Sequence, residues 1–445
     1  MERQYKDSGL RWIGKIPETW KVDRFKNRFK TGKGLNITKG DLVPEGIPVV
    51  SYGQVHSKKN TGTRLNDFLI RYIPSILAEG GVTSKVSVGD FIFADTSEDI
   101  DGCGNAVYVD KEIGLYAGYH SVIAFAKHPE ESKYYAYLFL TECWRSQIRM
   151  RVTGIKVFSI SQAILNETTI ILPPLAEQQH IADFLDKKCG EIDGLIALQE
   201  QMIAQLTDYK LALITETVTK GLNSDALLVP SGIDWIGDVP EGWNRCAPLK
   251  WFTEIILGKM LQSNANLPTD TLEKYICAKD VHFDGIDYSD LKSMYYSPSE
   301  KVTYKVQRGD MLVVEGGAGA AGAAIVDKEI ENTYIQNSIM IVRPKRNIDI
   351  RYARYVLFSI VSRGYVDYIC NKATIPHFTK DKLSGTLIPR PSIVEQCDIA
   401  DHLDTKCGEI DKLIETKRQK IETLKEYKKS VIYEAVTGKT DLRDS

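Results

Sequence analysis

Residues 177–193 read EQQHIADFLDKKCGEID, and residues 395–411 read EQCDIADHLDTKCGEID, with 13 identities in 17 positions at an offset of 218. A second pair of segments precedes each of these. SGLRWIGKIPETW, from Ser8 to Trp20, returns as SGIDWIGDVPEGW, from Ser231 to Trp243, with eight identities in 13 positions at an offset of 223. The order is frame, variable block, helix, and then the same again, so the chain reads as two copies of one unit. The variable blocks, residues 21–172 and 244–390, echo each other only faintly. Val88-Gly-Asp-Phe-Ile-Phe93 stands against Arg308-Gly-Asp-Met-Leu-Val313, and Asp110-Lys-Glu112 against Asp327-Lys-Glu329. The expectation is one fold carrying two different surfaces.

The repeated segment opens a long helix. Steps of seven from Leu185 give Leu185, Ile192, Gln199, Leu206 and Leu213, and the second copy gives Leu403, Ile410, Lys417, Leu424 and Val431. The adjacent positions are Cys189, Ile196, Ile203, Lys210 and Thr217, then Cys407, Ile414, Ile421, Lys428 and Ala435. Both copies therefore keep an apolar heptad seam with a polar layer near the middle. The seam residues Leu185, Ile192, Ile196, Ile203 and Leu206 are expected to face Leu403, Ile410, Ile414, Ile421 and Leu424. A helix of about 44 residues runs roughly 66 Å at 1.5 Å per residue and needs a partner. Antiparallel pairing of the two copies supplies one, with the blocks at opposite ends. Pro173-Pro174, Pro389 and Pro391 set the helix starts, and Gly190 and Gly408 suggest a bend or close packing in the first turns.

The blocks mix short β-branched and aromatic runs with helical stretches, which predicts an α+β class. Strands are expected at Pro48–Tyr52, Gly89–Ala94, Ala106–Val109 and Ser121–Phe125, then at Val302–Val306, Met311–Val314, Ala323–Val326 and Ser338–Val342. Helices are expected over Ser132–Met150 and Ile350–Cys370. The organisation is thus 1–172 (frame and first block), 173–222 (helix), 223–390 (frame and second block) and 391–445 (helix).

Composition excludes other classes. With 43% hydrophobic and 26% charged residues, 33 Gly and 16 Pro in 445 residues, the chain is globular rather than disordered or fibrous. It has no apolar stretch of 18 residues and no secretory leader pattern, so a cytoplasmic location is expected. None of the eight cysteines forms a C-x-x-C pair, and the histidines lack metal-ligand spacing, so no metal site is expected. Gly317-Ala-Gly-Ala-Ala-Gly322 matches a dinucleotide fingerprint, but the corresponding interval in the first copy, Thr96–Gly104, has no such pattern. A glycine-rich hairpin loop is the better reading. Tyr433 replaces the first glycine that a P-loop ending at Gly438-Lys-Thr440 requires. The chain reads as non-catalytic.

Charge sorts the parts. The net charge is −2, yet the blocks at 21–170 and 244–390 are positive and the helices negative. Residues 21–40 hold seven Lys and Arg against Asp23 alone, and residues 343–380 hold eight against two Asp. Such patches suit a phosphate backbone. Candidate contacts in the first block are Lys33, Lys39, Gln54, His56, Lys58, Lys59, Arg64, Tyr119, His120, Arg149, Arg151 and Lys156. Those in the second are Lys259, Gln336, Asn337, Arg363, Asn371, Lys372, Thr374, His377 and Lys380. Gln, Asn and His read base edges, whereas Lys and Arg mostly neutralise phosphates. Trp12, Trp20, Trp235 and Trp243 are expected to anchor block to helix. The competing reading is a coiled-coil scaffold with two protein-binding domains and no DNA role.

The duplicated frame, the Gly-Asp strand and PPLAEQQHIADFLDKKCGEID with its second copy resemble the specificity subunit of type I restriction-modification systems over essentially the whole chain. The resemblance implies two target-recognition domains, each reading one half of a split asymmetric DNA site. It also implies an antiparallel helical spacer that docks two methyltransferase subunits, with restriction subunits joining through the complex. S-adenosylmethionine, ATP and magnesium then belong to the partner subunits and none to this chain.

Overall fold

The structure is a computed structural model that describes residues 3–10, 12–317, 319–370 and 377–442, with only the backbone of Asn244 and Arg245. Its central strands alternate between two cores. Phe91 and Phe93 of the strand Phe91–Ala94 join one apolar cluster, while Ile92 and Ala94 join another on the opposite face. In the second block, Met311 and Val313 of Met311–Val314 face one cluster and Leu312 and Val314 the other. Side chains two apart share a face in an extended strand, so a strand buried on both faces reads as an unbroken apolar run.

Around these strands the main sheets occur twice. The first block orders Phe29–Lys33, Ser121–Ala126, Phe91–Ala94 and Ala106–Tyr108 into one antiparallel sheet. The second orders Thr253–Leu257, Ile339–Pro344, Met311–Val314 and Ala323–Ile325 in the same way. Each block adds a three-stranded mixed sheet, built on Ile47–Val50 and on Thr271–Ile276 respectively. Gly317 and Gly319–Gly322 lie between antiparallel strands and open no helix.

The residues form two compact units, Met1–Gln199 with Gln419–Ser445, and Glu200–Arg418. The long helices Leu175–Lys220 and Ile393–Val436 therefore each contribute to both. In the first unit, Ile181, Leu185 and Cys189 from the start of one helix share a core with Ile432, Ala435 and Val436 from the end of the other. The second unit repeats this with Ile399, Leu403 and Cys407 against Ile214 and Val218. Start meeting end defines antiparallel packing within each unit. Trp20 and Trp243 are buried, and their indole N–H groups donate to Glu177 at 2.8 Å and to Glu395 at 2.9 Å. The Tyr134 hydroxyl donates to the Val436 carbonyl at 2.8 Å, and its counterpart Tyr352 to the Val218 carbonyl at 3.2 Å. Ile192, Ile410, Ile414 and Ile421 are buried, while Ile196, Ile203, Leu206 and Leu424 are half-buried.

Several elements differ from the sequence reading. Val302–Tyr304 belongs to a helix, Pro298–Tyr304, rather than a strand, because Ser297 and Glu300 form a capping box with proline at the first helical position. The expected helix Ser132–Met150 is two helices, Ser132–Leu138 and Glu142–Arg149, with Thr141 at the break donating its hydroxyl to the Leu138 carbonyl at 2.6 Å. Ile350–Cys370 is likewise divided, at Gly364, whose φ of 85° is left-handed. Gly190 and Gly408 lie within continuous helices, and a Cβ on either would meet open space, so close packing does not account for them.

Candidate nucleic-acid interface

The exits of the sheet strands in the first block surround a cleft of about 680 Å³ lined by Tyr52, His56, Asn105, His120, Thr96–Asp99, Asp101, Gly102 and Val157. Tyr52 lies at the centre of a ring cluster, with His120 at 5.6 Å, Tyr119 at 5.7 Å and His56 at 6.2 Å between centroids. His120 is exposed, has a φ of 52° and holds Nδ1 3.3 Å from Asp95 Oδ1. Left-handed backbone is uncommon for a residue with a side chain and is tolerated where surrounding contacts hold it.

His56 is fully engaged. Its Nε2 lies 2.8 Å from the Thr96 carbonyl and its Nδ1 3.2 Å from the Asn105 amide nitrogen. A carbonyl only accepts, so the Nε2 position donates to Thr96 while Asn105 engages the other ring nitrogen. This makes His56 a wall of the cleft rather than a free reader of base edges. Gln54 accepts from the Ser51 backbone N–H at 3.2 Å as part of a helix cap. Lys33, Lys39, Lys58 and Lys59 are exposed, the last with its ammonium 3.9 Å from the Phe68 ring centroid.

Arg64 and Arg149 serve the fold. Arg64 points to Asp186 on the first long helix at 3.8 Å. Arg149 is a strut, 2.8 Å from Glu142 and donating to the Asp101 carbonyl at 3.0 Å. Arg151 donates to the Gln147 carbonyl at 2.7 Å, and Lys156 is exposed.

In the second block, Lys259 is turned inward, 2.5 Å from Glu300 and donating to the Tyr295 carbonyl at 2.9 Å. Burial works to raise the Glu300 pKa, but hydrogen bonds from Lys259 and Ser297 outweigh it and hold the carboxyl below its ordinary value. Gln336 donates to Asn337 and accepts from the Ser338 hydroxyl at 2.5 Å, so this polar trio is internally bonded. Arg363 gives its N–H to the Trp235 carbonyl at 2.8 Å, bracing the repeated frame instead of the polar face. His377 and Lys380 are exposed, and Asn371, Lys372 and Thr374 lie outside the described residues.

The two faces correspond in backbone and differ in side chains. Asp95 N–H donates to the His120 carbonyl and the Asp95 carbonyl accepts from Ile160. Glu315, Ser338 and Phe378 repeat both bonds. From these matching positions the first block runs on through Glu98, Asp99 and Asp101, and the second through glycines and alanines. Among the described residues no group of three His, Cys, Asp or Glu could hold a metal ion. Tyr52, Asp95 and Asn105 had no distinguishing sequence signal, because they meet only once the strands are assembled.

The sequence profile described as "Type I restriction modification DNA specificity domain" matches residues 17–208 and 252–426. The chain belongs to that specificity family. Among its relatives, the putative type I restriction enzyme MjaX specificity subunit of Methanocaldococcus jannaschii is 24% identical over 441 residues, covering 96% of this chain and 95% of the relative. The EcoKI specificity subunit of Escherichia coli K12 is 22% identical, covering 67% and 62%. A solved chain described under complex assembly and conformational transition of the type I R-M system superposes with a TM-score of 0.71 at 16% identity, covering 96% and 99%. The HsdS subunit of Thermoanaerobacter tengcongensis gives 0.52 at 16%, covering 96% and 98%. The first matched segment spans the first variable block and part of one long helix, and the second spans most of the second block and part of the other.

Proposed function

We propose that this chain is the DNA-recognition subunit of a type I restriction-modification complex, the first block reading one half of a split, asymmetric site and the second block the other. The observation that carries this reading is one backbone arrangement built twice with two unlike faces. Tyr52, His120 and an acidic loop stand in one copy, where Asn337, Ser338 and a glycine-rich loop stand in the other. The helix pair sets the spacing and docks two methyltransferase subunits. Its outer surface supports this through a duplicated apolar pair. Leu195 and Tyr209 are 47% and 59% exposed, and their equivalents Leu413 and Tyr427 are 52% and 50% exposed. Restriction subunits join through the complex. The chemistry, with S-adenosylmethionine, ATP and magnesium, belongs to the partners, and this non-catalytic chain confers specificity on them in the cytoplasm. No described helix is long and apolar enough to cross a membrane.

The test is to replace residues 244–390 with the block of a relative and sequence the methylated DNA of cells carrying the complex. One half of the recognised sequence changes and the other persists. A change in both halves, or binding to duplex DNA indifferent to salt, would contradict the reading and favour a protein scaffold.

A further inference from the structure

The loop that follows the helix Glu142–Arg149 carries three exposed apolar side chains in eight residues, with Met150 63%, Ile155 97% and Val157 53% exposed. Scattered single apolar residues are ordinary on a protein surface, whereas a cluster marks a contact site. This cluster has a firm base. Val152 and Phe158 pack against the core of the block. Phe158–Ser159 pairs with Thr96–Ser97, and Thr153 bridges to Ser159. Gly154, at a φ of 147°, makes the turn so tight that a Cβ there would stand 2.0 Å from the Val157 carbonyl oxygen.

The surroundings indicate what covers the tip. Val157 also lines the cleft beside Tyr52 and His120. Lys156 adjoins Ile155 in the chain and Arg151 precedes it by four residues, the latter donating to the Gln147 carbonyl; both are exposed and form no ion pair among the described residues. The facing loop offers Glu98, Asp99 and Asp101, whose carboxylates repel phosphates and accept hydrogen bonds from the exocyclic amines of base edges. Cations beside a stiff apolar tip match a DNA backbone beside a base step. Isoleucine and valine lose little rotamer freedom on insertion because branching at Cβ already restricts χ1, and apolar wedges of this kind part stacked bases in several DNA-bending proteins.

We infer that Ile155, with Val157 beside it, wedges between base pairs of the half-site read by the first block, while Arg151 and Lys156 hold the flanking phosphates. This rests on the DNA-reading role proposed above.

The experiment uses the full chain assembled with its methylating partners and duplexes of the methylated site carrying 2-aminopurine at successive positions. Wild-type complex brightens the probe at one step. Ile155→Ser abolishes that brightening and weakens specific binding roughly tenfold, Ile155→Val retains both, and Lys156→Gln lowers the salt slope by about one. Ile155 is almost fully exposed, so an unchanged melting temperature is expected for the serine variant. Brightening and affinity that survive Ile155→Ser overturn the wedge, as does a serine variant that loses its protein partners but keeps its DNA contact. Absence of any salt-dependent, site-specific binding by the wild-type complex overturns the DNA-reading role itself, a different outcome from failure of the variant alone.

Discussion

Lys210 of the first long helix places its ammonium 2.7 Å from the Asp411 carboxylate on the second, and 218 residues along both partners the contact recurs with roles exchanged, Lys428 lying 2.7 Å from Asp193. Reciprocal contacts of this kind, one in each compact unit, are what antiparallel packing of two copies of one helix produces. The pairs therefore mark the antiparallel register from within each compact unit.

Reversing one charge tests that register. Lys210→Asp leaves two carboxylates facing each other and should lower stability by about 1 kcal/mol, and adding Asp411→Lys should restore most of the loss. Partly exposed pairs contribute only about 0.2–1 kcal/mol, so the informative quantity is the coupling in a double-mutant cycle measured by urea unfolding. A coupling of zero would remove the pair from the set of register determinants.

Three glycines predict opposite outcomes. A Cβ on Gly34 would stand 1.9 Å from the Gly118 carbonyl oxygen, and one on Gly258 would stand 2.4 Å from that of Gln336. Both neighbours are backbone, so Gly34→Ala or Gly258→Ala should cost about 1–3 kcal/mol through overpacking. Gly190→Ala, in open space on a helix, should instead stabilise by about 0.5–1 kcal/mol. Thermal melts of the three variants decide both signs.

Alkali should weaken the fold in a defined window. Burial, aided by the nearby Asp193 and Asp186 and opposed by Lys428, pushes the Cys189 thiol from 9.0 up to about 11. Burial likewise pushes the Tyr108 phenol from 10.0 up to about 12. Both groups stay neutral when folded at pH values where the unfolded chain has ionised, so the unfolded state gains and stability falls as pH rises. The decline begins near pH 9 and continues toward 12. Denaturant midpoints between pH 8 and 11 measure it, and Cys189→Ala should lessen the part between 9 and 11.

Helix length should fix the gap in the DNA site. Four residues added after Lys220, or one extra turn in the first long helix, add about 6 Å at 1.5 Å per residue. That corresponds to between one and two base pairs at about 3.4 Å each. The methylated sequence of the insertion variant should show a longer unspecified spacer between unchanged half-sites. An active variant with an unaltered spacer would show that the helices do not set it.

What the sequence disclosed follows the range of the physics involved. Heptad spacing from Leu185 and Leu403 is a local periodicity, and the paired frames at Trp20 and Trp243 repeat near-identical residues, so both could be read directly. The apolar runs at Phe91 and Met311 marked central strands for the same reason. Val302–Tyr304 was misread because β-branched and aromatic residues suggest a strand, while the helix is started upstream by Ser297 and Pro298. The cleft was legible only in part. His56 and His120 were visible as polar residues, but the bonds that occupy His56 come from Thr96 and Asn105, 40 and 49 residues away.

The first compact unit is completed by Gln419–Ser445, which the ribosome supplies only after the whole of Glu200–Arg418. At about 5–20 residues per second, the amino-terminal block waits some tens of seconds for Ile432, Ala435 and Val436 to cover its core. During that interval its apolar surface around Leu185 is open to any chain that presents a similar helix end. A chain that stops before Ile432, even with every residue of the first block intact, therefore leaves the core of its amino-terminal half uncovered.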